Sequence, residues 1–167
     1  TLMHEHILCD LTRPEWRGQG GDFAITLANR HELDYRPMVP GHHILADRAV
    51  AAHDLAAFAS AGGSAIVDLT TGGIGPDPIG LRDLSRETGV QIVLGAGFYT
   101  DGYVDEATRE APVEALAETI VAQVTEGAWG TDVRCGVIGE IGVSWPMTPF
   151  ERRSLVAGAM AQRRTGA

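Results

Sequence analysis

The sequence is short of several things, and each shortage limits what it can be. Cysteine occurs only twice in 167 residues, at Cys9 and Cys135. Two are too few for the disulfide framework of a small secreted scaffold. Both stand in apolar, strand-like stretches that suit reduced, buried thiols, and the expected setting is cytoplasmic. No run approaches the roughly 18 apolar residues of a membrane span. Basic charge is scarce: 13 Lys+Arg against 22 Asp+Glu leave a net charge of -9. The basic residues are scattered, which argues against nucleic acid or an anionic membrane as partner, since both need a basic patch. With 44% hydrophobic and 21% charged residues, the composition is that of a globular protein with one core. Thr1 rather than Met opens the chain, directly in an apolar run, so a leader upstream is left undetermined.

What is present begins with Thr1-Leu2-Met3-His4-Glu5-His6-Ile7-Leu8-Cys9-Asp10. Read as a strand, residues two apart share a face at roughly 6.5–7 Å, so His4 and His6 can reach one metal ion. Glu5 falls on the opposite face. A helical HExxH site is excluded because Leu8 stands where the second histidine would be. The plainer alternative is a pair of partly buried histidines at a strand end.

The rest of the chain alternates. Residues 11–40 form a long polar connection with Pro14, Trp16, the Gly18 to Gly21 cluster, Arg30, Arg36 and Pro37. Such a loop is either a binding loop or a surface insertion, and a short helix is expected over residues 22–31. An alanine-rich helix is expected over 42–61, its stripe running through Leu45, Ala49, Ala52, Ala56 and Phe58 or Ala59, with Gly62-Gly63 ending it. Residues 64–70 read as a buried strand. Asp77-Pro78 then starts a helix that runs to Thr88 before Gly89. A strand follows over 90–96, then an acidic loop through Glu110 and a helix from Pro112 to Gly127. Residues 134–141 read as the fourth strand, and Thr148-Pro149-Phe150-Glu151 has the form of a capping box opening the last helix. Four successive β-α units mean a parallel sheet with right-handed crossovers. A closed eight-stranded barrel takes about twice as many units, in about 250 residues.

In parallel α/β folds, sites form where the carboxyl ends of strands meet the following loops. The polar groups there are His4 and His6, Asp68 with Thr70-Thr71, Tyr99, and Glu140. Two imidazoles and a carboxylate suit zinc or manganese. Glu140 stands in the apolar run Val137-Ile138-Gly139-Glu140-Ile141-Gly142, where an unpaired carboxylate would cost several kcal/mol to bury. It therefore needs a cation, either a metal or a helix arginine.

Several blocks taken in order resemble the phosphotriesterase family. They are Thr1-Leu2-Met3-His4-Glu5-His6, Ile66-Val67-Asp68-Leu69-Thr70-Thr71, the stretch from Leu84 to Val93, Gly97-Phe98-Tyr99, and Val137 through Trp145-Pro146. The last block is similar to the phosphotriesterase-related branch, in which a glutamate replaces the carboxylated lysine of the organophosphate-degrading members. The resemblance implies an α/β TIM barrel of the amidohydrolase superfamily, with residues 1–167 supplying the N-terminal four β-α units of a single domain. It also implies a divalent-metal hydrolase with a binuclear centre of two zinc ions, manganese or cobalt being alternatives. His4 and His6 then look like ligands of one metal, and Glu140 like the carboxylate bridging both. A metal-bridging hydroxide would attack an amide, lactone or ester of a small-molecule substrate, and homo-oligomerisation is left open. Tyr99 resembles a pocket aromatic of the family, and Trp145 is a candidate second wall, with ordinary packing as the alternative for each.

The family pattern further calls for two histidines from strands five and six and a proton-accepting aspartate from strand eight. None of these positions occurs in the 167 residues. His31, His42, His43 and His53 do not match them and read as solvated or structural. The expectation is therefore a fragment, or a half-barrel completed by another chain. A non-catalytic member that binds metal or a ligand is the rival. Gly72-Gly73-Ile74-Gly75 follows a strand but lacks the spacing of a nucleotide loop.

Overall fold

A computed structural model describes residues 1–17, 25–35 and 42–167. The Gly18 to Gly21 cluster, Arg36, Pro37 and Pro40 lie outside the described residues, as does the first part of the helix expected over 22–31. The described end of that segment is a 3-10 turn, Arg30–Asp34. In chain order the elements are β1 (Leu2–Glu5), β2 (Cys9–Asp10), β3 (Ile44–Leu45), α1 (Arg48–Ser60), β4 (Ala65–Asp68), α2 (Pro78–Thr88), β5 (Gln91–Ala96), α3 (Glu106–Glu110), α4 (Val113–Thr125), β6 (Val137–Ile138) and α5 (Pro149–Thr165).

Strands β1, β4, β5 and β6 form one parallel sheet in that order, as the alternating pattern predicts. The helices pack against one face of it. Leu81 and Leu84 of α2, Leu116 and Ile120 of α4, and Phe150, Ala157 and Ala161 of α5 join Ile66, Leu94 and Ala96 of the strands in one buried cluster. Each large apolar side chain in it contributes roughly 1.5–3 kcal/mol by leaving water.

The helix signals read from the sequence are realised as local hydrogen bonds. Asp77 caps α2 by accepting from Gly80 N, and Gly89 ends it at φ 74°. Thr148 and Glu151 form the expected capping box of α5. Glu151 does more than cap. Although buried, its carboxylate accepts from Thr148 N, from Ser144 N and Oγ, and from Asp101 N. It thereby ties the loop after β6 to the loop after β5.

Five expectations are corrected. The opening run is two strands rather than one, because Ile7 N donates to the buried carboxylate of Asp68 at 2.7 Å instead of continuing a ladder. The helix expected from residue 42 starts at Arg48, because Asp47 accepts from Ala49 N and Val50 N. Ile44–Leu45 ahead of it pairs antiparallel with Cys9–Asp10. The inward face of α1 is Ala51, Ala52, Leu55, Phe58 and Ala59, whereas Ala49 and Ala56 are exposed; in so alanine-rich a helix the apolar period is ambiguous. The acidic loop after β5 contains the short helix α3, capped by Asp105. The fourth strand is trimmed to Val137–Ile138, though Gly139 N and Gly142 N still donate to Ala96 O and Phe98 O. This close approach requires glycine at Gly95, where a Cβ would sit 1.8 Å from the Gly139 carbonyl oxygen.

Cys9 and Cys135 are free and buried, as expected. Burial pushes the Cys135 thiol up to about 12, which keeps it protonated and unreactive at neutral pH. Among the described residues no helix is long and apolar enough to cross a membrane.

Burial raises the Glu151 pKa, but the backbone donors of Thr148 and Ser144 outweigh it, and the net shift is downward. A depressed carboxylate pKa contributes stability above the unfolded value, which is lost as pH falls through the folded one. Glu151→Gln is therefore expected to destabilise the protein at pH 7 by about 1–3 kcal/mol. The gap between variant and parent should narrow on acidification below about pH 4.5, as followed by urea unfolding at a series of pH values.

Candidate metal centre

Four adjacent strands laid flat would hold the outer two about 14 Å apart. Here the sheet curls, so that side chains from its first and last strands meet at the carboxyl end. His4 Nε2 lies 3.1 Å from Glu140 Oε2 and His6 Nε2 lies 3.6 Å from Glu140 Oε1. The ligand atoms of these three residues all fall within 4.8 Å of one another. The two imidazoles stand edge to face at 5.4 Å between ring centres. His4 projects from β1, His6 follows its end, and Glu140 follows β6.

The strand parity read from the sequence agrees with this arrangement. Glu5 is not part of the cluster; with Leu2, Leu55, Phe58 and also His6 it borders a cavity of about 480 Å³ beneath α1. Leu2 and Glu5 share that cavity although three residues apart, and the β1–β4 register shifts between them.

Glu140 is partly buried, with 21% of its side chain exposed, and its ion-pair partners among the described residues are the two histidines. The arginine partner considered from sequence is not seen there. All 13 basic residues are arginines, so the chain has no lysine that could serve as a carboxylated bridge. Two nitrogen donors facing two different oxygens of one carboxylate fit a divalent cation of the zinc or manganese type.

The surroundings brace the cluster. Asp68, 1% exposed, accepts from Ile7 N at 2.7 Å and from Thr70 N at 3.0 Å. These bonds fasten the segment after β1 to the end of β4. Thr70 Oγ1 lies 3.1 Å from His6 Nδ1. This contact has no signature in the sequence, because it depends on the β1–β4 register that sets Glu5 opposite Asp68. Thr71 is fully buried and its hydroxyl has no hydrogen-bond partner among the described residues.

Tyr99 is half-buried just past β5, edge to face with Tyr103 at 4.9 Å between ring centres. Burial, then the charge of Glu140, pushes its phenol above the ordinary value. The hydroxyl therefore stays protonated at neutral pH. Trp145 is 96% exposed, so within this chain it packs as no wall. The remaining histidines lie elsewhere: His31 is in a 3-10 turn, His42 and His43 stack on each other at 4.7 Å, and His53 is in α1. Arg30 pairs with Asp34 on the surface at 3.0 Å.

Comparison with known proteins agrees with this layout. The model of the phosphotriesterase family matches residues 1–167. The N-acetyltaurine hydrolase of Danio rerio is 40% identical over 173 residues, covering 99% of this chain and 50% of that protein. A resiniferatoxin-binding protein from Rhodobacter sphaeroides superposes with a TM-score of 0.87 at 41% identity, covering 99% of this chain and 48% of that one. A lactonase from Listeria monocytogenes does so with 0.73 at 27% identity, covering 99% and 50%. The chain spans about half the length of the curated relatives it matches. Sequence, structure and coverage agree that this chain belongs to the phosphotriesterase family, and its four β-α units are half of a TIM barrel.

Proposed function

We propose that this chain is the N-terminal half of a single-domain, divalent-metal-dependent hydrolase that cleaves an amide, lactone or ester bond of a small molecule. The observation that carries the reading is the convergence of His4 and His6 on separate oxygens of Glu140, at 3.1 and 3.6 Å. In this reading His4 and His6 would hold one ion and Glu140 would be shared with a second, two zinc ions being the favoured content. Bound ions of this kind supply Lewis acidity toward a carbonyl or phosphoryl oxygen and lower the pKa of coordinated water.

The chain's own groups then have distinct tasks. The histidines fix the position of the centre relative to the sheet. The Glu140 carboxylate offsets the positive charge, and its divergent oxygens can serve two cations at once. Tyr99, protonated and half-buried just past β5, can donate a hydrogen bond to the substrate and line its pocket, and Trp145 becomes a wall if a further element covers it. The remaining ligands and the proton-accepting aspartate would come from the other half of the barrel.

For substrate class, the N-acetyltaurine hydrolases point to an amide and the lactonase to a cyclic ester. Glu140 in the bridging place disfavours phosphotriesters as main substrates. The second reading, a member that binds a ligand without turning it over, is supported by the neighbour described as a resiniferatoxin-binding protein.

Three measurements test the proposal. Zinc affinity, measured by chelator competition, is expected to fall by at least about tenfold for His4→Ala and for His6→Ala, with hydrolysis lost in both. Full metal content in either variant would remove that residue from the ligand set. Glu5→Gln is expected to keep its metal stoichiometry, because its side chain lies on the helix side of β1. In a panel of N-acyl amides, lactones and phosphotriesters, turnover of an amide or lactone should exceed that of every phosphotriester. The reverse order would overturn the substrate class, and no turnover by a metal-loaded protein would favour the binding role.

A further inference from the structure

His6 lies past the last residue of β1, where no ladder holds it, yet a metal ligand has to be held still. Two buried polar groups of the neighbouring strand do this. The Asp68 carboxylate receives Ile7 N, one residue after His6, and Thr70 N. The hydroxyl of Thr70, a residue only 3% exposed, lies 3.1 Å from His6 Nδ1. His6 Nε2, at the other end of the ring, faces Glu140. The imidazole is thus gripped at one nitrogen and presented at the other.

We propose that Thr70 is a positioning residue for His6: its hydroxyl oxygen accepts the Nδ1 proton, which leaves the Nε2 lone pair to a metal ion held between the ring and Glu140. A neutral imidazole has one donor and one acceptor nitrogen, and the partner of one decides the role of the other. A hydroxyl could also donate, but donation to Nδ1 would leave the proton on Nε2 and close that nitrogen to a metal. Acceptance by Thr70 frees its own O–H to turn elsewhere. Asp68 does not touch the ring; it fixes the two backbone segments that bring ring and hydroxyl together. Partners of this outer kind commonly change metal affinity by about 10- to 100-fold when removed. The inference rests on His6 being a metal ligand, and its test separates the two claims.

The first readout does not depend on affinity. Long-range proton–nitrogen NMR of the zinc-loaded protein should show the His6 Nδ1 proton protected from exchange with solvent, and Thr70→Val should lose that protection. An Nδ1 proton that exchanges as fast in the parent as in Thr70→Val would overturn the proposal. The second readout is zinc affinity by chelator competition. Thr70→Val is expected to bind zinc about 10- to 100-fold more weakly, and Thr70→Ser, which restores the oxygen, should return close to the parent. If Thr70→Val binds as the parent does while His6→Ala loses zinc, the ligand assignment stands and the positioning role fails. If His6→Ala binds zinc undiminished, the ligand assignment itself fails, and the NMR result still decides what Thr70 does to the ring.

Discussion

The candidate site exists only because the sheet is curled. His4 and Glu140 belong to the first and last strands of the order β1-β4-β5-β6, and their side chains meet across the concave face at 3.1 Å. That curvature is built up by short, tightly apposed strands. Gly95 lets β5 lie directly against the Gly139 carbonyl. Gly142 permits the same close passage by the backbone at Thr100, where a Cβ would be 2.3 Å from the amide nitrogen. A side chain at either place would push the Glu140 segment off β5 and carry its carboxylate away from the histidines.

Buried carboxylates set the rest of the geometry. Asp68 and Glu151 are each almost fully enclosed, and each spends its acceptors on backbone N–H groups of irregular segments. This is where such segments would otherwise leave donors unsatisfied in the core. One carboxylate fastens the segment carrying His6; the other fastens the loop that follows Glu140. Glu140, only partly buried, has the imidazoles of His4 and His6 as its ion-pair partners among the described residues. The contrast marks it as the carboxylate available to a cation.

The order of elements was legible because helix starts and stops are written in local chemistry. Asp77-Pro78, Thr148 to Glu151, Gly89 and Gly166 all do what their side chains or φ preferences require. The cluster of His4, His6 and Glu140 was legible for two reasons. Strand parity put His4 and His6 together, and an acidic residue in an apolar strand demands a partner. What could not be read depends on tertiary register. The β2–β3 pairing is two residues long and carries almost no pattern, and Leu45 happens to fit the apolar period of the helix behind it. The capture of Ile7 N by Asp68, and of the His6 ring by Thr70, needs the β1–β4 offset, which no local signal encodes. Trp145 follows Glu140 in sequence, and in this chain its ring is 96% exposed.

The measurement that bears most directly on the central claim is X-ray absorption at the zinc edge of the zinc-loaded protein. The account predicts a first shell of nitrogen and oxygen only, with the outer-shell scattering of coordinated imidazole, and loss of part of that imidazole signal in His4→Ala. A shell containing sulfur, or one without imidazole scattering, would place the metal somewhere other than His4, His6 and Glu140 and would contradict the account.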